Sequence, residues 1–389
     1  MPHWSNWSGK QSAKIAGLHF LRSEADAQAL INRADAAGQT VRVAGATHSH
    51  SPLLGNPDGL ILNAQGLAGV VASDKASSSA WVWAGTRIFA LGAALAEQGM
   101  ALHNQGDIDE QAIAGATATG THGTGAGLRN LSSAVIGARI ACANGEIITV
   151  DAHQEIDVWQ AARLHLGALG LITQLRLALK PSYKLREQSW QAPLKDALQQ
   201  VQQGAKHRHF EFFWYPQTDT AHMKTIDETK DAPEYPLAEE GSRCAWSYEV
   251  LPNHRPHRHT EMEYSVPAAQ GPACMLALQK LLQTRFPDVV WPVEYRLQAG
   301  DDVWLSPANG RATATISVHQ AVELDDEPYF RACEEIFLAH DGRPHWGKVN
   351  YLSGQQLAER HPQWDDWWAV RDRLDPRQTF LNPYLKSLR

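Results

Sequence analysis

Cysteine is scarce in this 389-residue chain: Cys142, Cys244, Cys274 and Cys333 stand far apart, with no Cys-x-x-Cys. That spacing signals neither a disulfide framework nor a thiolate zinc site, and it suits a reducing compartment. An excess of basic charge is missing as well. Lys and Arg number 35 against 42 Asp and Glu, a formal charge of −7, so there is no basic field to hold a nucleic-acid backbone. No apolar run reaches the roughly 18 residues of a membrane-spanning helix, and the amino end lacks a charged segment followed by an apolar one. The expectation is a soluble, cytoplasmic protein with no integral membrane segment and no nucleic-acid partner. Several catalytic signatures are absent too. Leu128 stands where a dinucleotide fingerprint opening at Gly123-x-Gly125 needs glycine, and no Gly-x-x-x-x-Gly-Lys-Ser/Thr, Gly-x-Ser-x-Gly or His-Glu-x-x-His occurs.

What is present is a globular composition, 43% hydrophobic and 20% charged. At about 150 residues per domain it makes two or three domains. In the first half, strands and helices alternate. Ser23-Glu24-Ala25-Asp26 reads as a capping box opening a helix that Gly38 ends before a strand at 41–44. A strand at 81–84, a helix at 88–98 and a hairpin around Asn144-Gly145 follow, and the strand 171–180 runs into Pro181. Pro181 is taken as the first domain boundary. Beyond it, segments 209–215, 261–266, 289–298 and 312–320 alternate in polarity, as in an antiparallel sheet with one covered face, and 275–285 and 329–340 read as its covering helices. The fold class expected is α+β in both halves.

Two runs of small residues are candidates for cradling a phosphate: Gly45–Pro52 after the first strand, and Gly115–Gly125. Such runs let backbone N–H groups approach a pyrophosphate closely without a charged side chain. Either run alone is more often a tight turn. Elsewhere, Glu294 and Arg296 are two apart on a strand and point to one face, about 6 to 7 Å apart along it. Thr313, Thr315, Ser317 and His319 also share a face. Each strand alone fits an ordinary wet surface; facing one cavity, they offer a polyhydroxylated molecule carboxylate, guanidinium, hydroxyl and imidazole groups together. Lys348, in a tight turn after Trp346, could stabilise developing negative charge beside an electron-rich cofactor. The cluster His254, His257 and His259 is interleaved with Arg255 and Arg258 and reads as a solvated loop, so no metal is assigned.

In combination these segments resemble a known family. Gly45–Pro52 is similar to a Gly-Ser-Gly-His-Ser flavin loop, and Asp107-Ile108-Asp109 with Gly115–Gly125 to a second one. Matches continue through 166–170, Phe210-Glu211-Phe212-Phe213-Trp214, Glu261-Met262-Glu263-Tyr264, His345-Trp346-Gly347-Lys348 and Phe380–Tyr384. The resemblance is to the FAD-dependent sugar-1,4-lactone oxidases and dehydrogenases (L-gulono- and D-arabinono-types) and alditol oxidases of the vanillyl-alcohol oxidase superfamily. It implies a two-subdomain FAD-binding domain over 1–181, an antiparallel-sheet substrate cap over 182–340, and a segment 341–389 returning to the flavin. FAD contacts implied are Gly45, Ala46, Thr47, His48 and Ser49, then Gly115, Ala116, Gly120, Thr121, His122, Gly123 and Thr124, and Ile172. His48 is the position that carries FAD covalently, with Ala46-Thr47 in place of the commoner Ser-Gly and His50 where an aromatic is usual.

The resemblance also assigns Glu294, Arg296, His319 and Lys348 to catalysis. Hydride moves from a C–H beside a hydroxyl to flavin N5 while His319, or Lys348, takes the hydroxyl proton. Arg296 or Lys348 steadies reduced flavin, and Glu294 fixes substrate hydroxyls. The implied substrate is an aldono-1,4-lactone, with oxygen or another acceptor reoxidising the cofactor; the alternative is an alditol. A flavin-free carbohydrate-binding or lactone-hydrolysing protein is the competing reading, and an absorption spectrum separates it.

Overall fold

The computed structural model describes residues 2–389. Its first half holds two larger sheets, beside the two-stranded pairs His3–Ser5 with Ser12–Lys14 and Met100–Ala101 with Lys180–Pro181. Strands β1 (Gly17–Phe20), β2 (Val41–Ala44) and β3 (Leu60–Asn63) form a parallel sheet in the order β1-β3-β2. The helix Glu24–Ala36 packs Ala27, Leu30, Ile31 and Ala34 against it. Ser23 caps that helix by accepting the Asp26 N–H at 3.1 Å; the Asp26 carboxylate accepts from Arg22 N rather than closing the box on Ser23.

The second sheet is antiparallel. Strands β4 (Val70–Asp74), β5 (Ser79–Trp83), β6 (Val135–Ala141), β7 (Ile147–Asp151) and β8 (Leu171–Ala178) lie in the order β7-β6-β8-β5-β4. The expected hairpin is the β6–β7 pair, and Gly145 turns it at φ +81°, a conformation side chains other than Asn and Asp rarely take. The small-residue run after Ala112 is not one loop, however. Ile113–Thr119 is a short helix, favoured by its Ala and Ile content, and Gly120 ends it in the left-handed region.

The remainder is dominated by one eight-stranded antiparallel sheet. Its strands are β9 (Lys184–Pro193), β10 (His209–Tyr215), β11 (Thr220–Thr229), β12 (Cys244–Trp246), β13 (His259–Pro267), β14 (Val293–Gln298), β15 (Thr313–Ala321) and β16 (Arg343–Pro344). Their order is β12-β9-β11-β10-β14-β15-β13-β16. Strict alternation sorts the side chains. Met223, Phe212, Tyr295, Ile316 and Tyr264 lie in register across five strands and face helices 194–204, 271–285 and 327–339. Phe212 and Tyr295 stack at 4.8 Å. The opposite row is His222, Phe213, Glu294, Ser317 and Glu263, and the next is Lys224, Glu211, Arg296, Thr315 and Ser265. Apart from exposed His222 and half-buried Phe213, this polar face is buried, with the first half of the chain against it.

The last residues close the molecule. Phe380 enters the core of the parallel sheet, Thr379 O accepts from Val41 N at 2.7 Å, and the Asn382 amide donates to Pro52 O at 2.8 Å and Gly55 O at 2.7 Å. The C-terminal segment thus fixes the loop 45–52. Among the described residues, no helix is long and apolar enough to cross a membrane.

Candidate active site

Two hollows share His48, Ser49, Gln111 and Thr119: a narrow one within the first half and a wide one between the halves. The narrow one, about 90 Å3, is lined by Gly45–Ser49, Gly115, Ala118, Leu166 and Ile172. Its lining is mostly Gly, Ala and Leu. A Cβ on Gly45 would lie 2.7 Å from Ala112 Cβ, so the two loops abut, whereas a Cβ on Gly115 would meet nothing within 4 Å and would point into open space. Thr47 holds φ +59°, a left-handed conformation that glycine takes freely and a β-branched residue rarely does; Trp7 N–H donates to its carbonyl at 2.9 Å. The charge here comes from Arg42 on β2, which the small-residue pattern gave no sign of. Arg42 is buried and has no carboxylate partner, and its guanidinium donates to the carbonyls of Leu53, Leu166, Gly167 and Phe380 at 2.6–2.7 Å. It therefore pins three segments around the cleft. Burial, and then the Arg371 charge, lower its pKa to about 9.

His48 stands where the cleft opens into the wide hollow. Burial depresses its imidazole to about 4, with Arg87 and Lys348 adding to the effect, so the ring is neutral at physiological pH. Trp7 stacks on it at 5.7 Å, and its buried Nδ1 has no partner. The loop is tied to the turn carrying Lys348: His50 N donates to Gly347 O and Ser51 Oγ to Trp346 O, both at 2.7 Å.

The wide hollow, about 1310 Å3, lies beneath the polar face of the eight-stranded sheet. Glu294, Arg296, His319 and Lys348 all line it, as do Thr121 and His122. Arg296 is buried against three carboxylates, Glu294 at 2.5 Å, Glu211 at 3.0 Å and Asp107 at 3.1 Å. Lys348 pairs with Glu261. Burial opposes the Glu261 charge, but Lys348, His259 and His319 hold the carboxyl well below its usual range. His319 is depressed to about 4, first by burial; its Nδ1 lies 2.9 Å from Pro292 O and so carries the proton, leaving Nε2, 3.7 Å from Glu261, with a free lone pair. His122 Nε2 lies 3.0 Å from Glu263, whose other oxygen accepts from Ser317 Oγ at 2.8 Å.

The remaining residues singled out from the sequence occupy other positions. Ala116, Gly120, Gly123 and Thr124 line neither hollow. Ala116 is core, Gly120 is the left-handed helix end, a Cβ on Gly123 would strike Gln105 O at 2.2 Å, and Thr124 Oγ1 bonds Phe210 O. His254 and His257 are exposed on a loop at the rim, while His259 joins an aromatic wall with Trp7 and Trp291 at 5.5 and 5.3 Å. Sequence reasoning did not single out Asp107, Glu211, Lys224, Glu240 and Arg255 as site residues. Only their spatial convergence marks them.

The cradle fits FAD: facing glycine-rich loops with room at Gly115, a neutral histidine with an unsatisfied nitrogen at the junction, and a polar chamber beyond it. The fold and this site define an FAD-dependent oxidoreductase of the vanillyl-alcohol oxidase type acting on CH–OH groups. Residues 15–151 match the FAD binding domain family, and residues 175–246 and 237–388 match the D-arabinono-1,4-lactone oxidase family. The L-gulono-1,4-lactone dehydrogenase of Mycobacterium tuberculosis is 35% identical over 427 aligned residues, covering 100% of this chain and 99% of its own. The alditol oxidase of a Streptomyces species is 27% identical, covering 99% of this chain and 98% of its own. Among solved structures, a solvent-stable cholesterol oxidase superposes with a TM-score of 0.87 at 17% identity, over 99% of this chain and 97% of its own. The chain belongs to the D-arabinono-1,4-lactone oxidase family.

Proposed function

We propose that this enzyme oxidises an aldono-1,4-lactone at the hydroxyl-bearing carbon next to the lactone carbonyl, with FAD linked covalently through His48. The observation that carries the substrate reading is the polar face: carboxylate, guanidinium, ammonium and imidazole side chains from four strands converge on one chamber, which Thr313, Thr315 and Ser317 do not reach, and its cations, buried Arg296 and half-buried Lys348, are already paired. Such a chamber suits a neutral, oxygen-rich molecule. An anionic sugar acid finds no free buried counter-charge there. The relative at 35% identity, a lactone dehydrogenase, favours the lactone over the alditol of the relative at 27%.

Bound FAD would supply the hydride acceptor. His319 Nε2, unprotonated and buried, takes the substrate hydroxyl proton. Glu294 and Arg296 hold the oxygens on the opposite side, and Lys348, kept in place by Glu261, orients the ring. The neutral His48 ring with its unpartnered Nδ1 is suited to forming the flavin bond. Oxygen or another acceptor would take up the electrons. The four cysteines are free and buried, which suits a cytoplasmic location.

The test is anaerobic mixing of the yellow holoenzyme with a panel of aldono-1,4-lactones and alditols, followed by reoxidation with oxygen or an artificial acceptor. Bleaching of the flavin by lactones, faster than by any alditol, is expected. Bleaching by alditols alone would replace the lactone reading.

A further inference from the structure

Arg296 belongs to a closed ring of charges. Going round it, Arg296 meets Asp107 at 3.1 Å, Asp107 meets Arg255 at 3.0 Å, and Arg255 meets Glu240 at 2.9 Å. Glu240 meets Lys224 at 3.2 Å, Lys224 meets Glu211 at 2.7 Å, and Glu211 returns to Arg296 at 3.0 Å. The six members alternate in sign and sum to zero. They come from three places: Asp107 from the loop after Leu102, Glu240 and Arg255 from the segment between β11 and β13, and the rest from the sheet face.

Glu294 is outside this ring. It shares Arg296 Nη2 with Asp107, at 2.5 Å, but Arg296 already serves two carboxylates of the ring. The other charged groups facing Glu294 are matched among themselves. Glu211 comes from β10 and belongs to the ring. On β13, Glu261 is paired with Lys348, and Glu263 lies against His122. His319 on β15 is depressed to about 4 by burial foremost, so it brings no charge. With Glu294 the cluster holds four carboxyls against the three cations Arg296, Lys224 and Arg255, and an unmatched ionised group at the buried Glu294 position is costly.

We propose that the ring acts as a positioning device that holds Glu294 as a neutral carboxylic acid, with Oε1 lying against Arg296 Nη2 and the proton on Oε2 offered to the carbonyl oxygen of the bound lactone. A lactone carbonyl only accepts hydrogen bonds, so it needs such a donor; an alditol hydroxyl does not. Burial, reinforced by Glu211, Asp107 and Glu261, pushes the Glu294 carboxyl up to about 8 despite Arg296. The proton is present below that value and lost above it. Asp107 and Arg255 are positioning residues, acting through the charge balance around Arg296.

The role of the carbonyl rests on the lactone reading, whereas the protonation does not, so the experiment has two arms. In the first, infrared difference spectra of the holoenzyme without substrate are titrated with pH. A carboxylic C=O band that disappears near neutral-to-alkaline pH and is missing in Glu294→Gln is expected; no such band in the wild type overturns the proposal. In the second, a 2-deoxy-aldono-1,4-lactone, which binds but has no hydroxyl at the oxidised carbon, is titrated through its perturbation of the flavin spectrum. Affinity should fall as pH rises through the Glu294 transition.

Removing opposite halves of one ion pair should shift that transition in opposite directions. Asp107→Asn leaves the ring positive and should move it down by about one pH unit, a tenfold change in proton affinity; Arg255→Gln leaves it negative and should move it up, and Arg255→Lys should restore it. If both variants shift it the same way, or neither shifts it, the ring is only structural. A normal infrared titration with no lactone binding would retain the protonation and overturn the carbonyl role together with the lactone reading.

Discussion

Around the narrow cleft, Gly45, Ala46, Gly115 and Ala118 are small and uncharged, whereas in the adjoining hollow Glu261, Glu263, Glu294, Arg296 and His319 crowd charge and imidazole onto one sheet face. The first region recognises through the path of its backbone, and any side chain added there competes with the cofactor. The second recognises through side chains that strand pairing sets in rows, and its fine tuning depends on how many charges of each sign face the chamber. Substitutions should therefore fail differently in the two regions: in the cleft by losing FAD, on the sheet face by losing chemistry while FAD stays.

The largest effect on flavin content is expected from Gly115→Val. Its side chain would enter the open space of the cleft, so flavin content should fall below about a tenth of the wild type while thermal stability of the apoprotein holds. Full flavin occupancy would break the contrast. His48→Ala should release all flavin from acid-denatured protein, and His50→Ala should leave it attached, because His50 is buried beside Glu261 and lies outside the narrow cleft. The smallest effect is expected at Gly120. At φ +78°, with a Cβ 3.2 Å from Leu164, Gly120→Ala should cost about 1 kcal/mol of stability, read as a lower melting temperature, with flavin retained. Loss of flavin there would assign it to the cradle after all.

How much could be read beforehand follows the same divide. Strands β10, β13, β14 and β15 alternate plainly, since one face meets helices and the other a chamber, and their polar residues could be paired off from sequence. β9 could not be read so: it lies next to the short edge strand β12, and its later residues, from Gln188 to Gln191, are exposed, so nothing forces alternation on Lys184–Pro193. The loop Gly45–Pro52 was legible because glycine and small residues announce close approach. The small residues of Gly115–Gly125 suggest a cradle or tight turn, yet the segment's alanines and the helix-ending Gly120 point to the short helix found over Ile113–Thr119. The charge ring was out of reach, because its six members span residues 107 to 296 and only the register across strands and a connecting segment bring them together. Arg42 was hidden for a similar reason: its partners are carbonyls, which no sequence pattern marks.

The division of labour between cleft and sheet face is tested most directly by Arg296→Ala, with flavin content and anaerobic reduction by an aldono-1,4-lactone read on the same sample. The account predicts a yellow protein with a normal visible spectrum, in which reduction slows roughly 30- to 1000-fold, the equivalent of losing about 2–4 kcal/mol of a buried charge-assisted interaction. Reduction at the wild-type rate, or loss of the flavin itself, would contradict it.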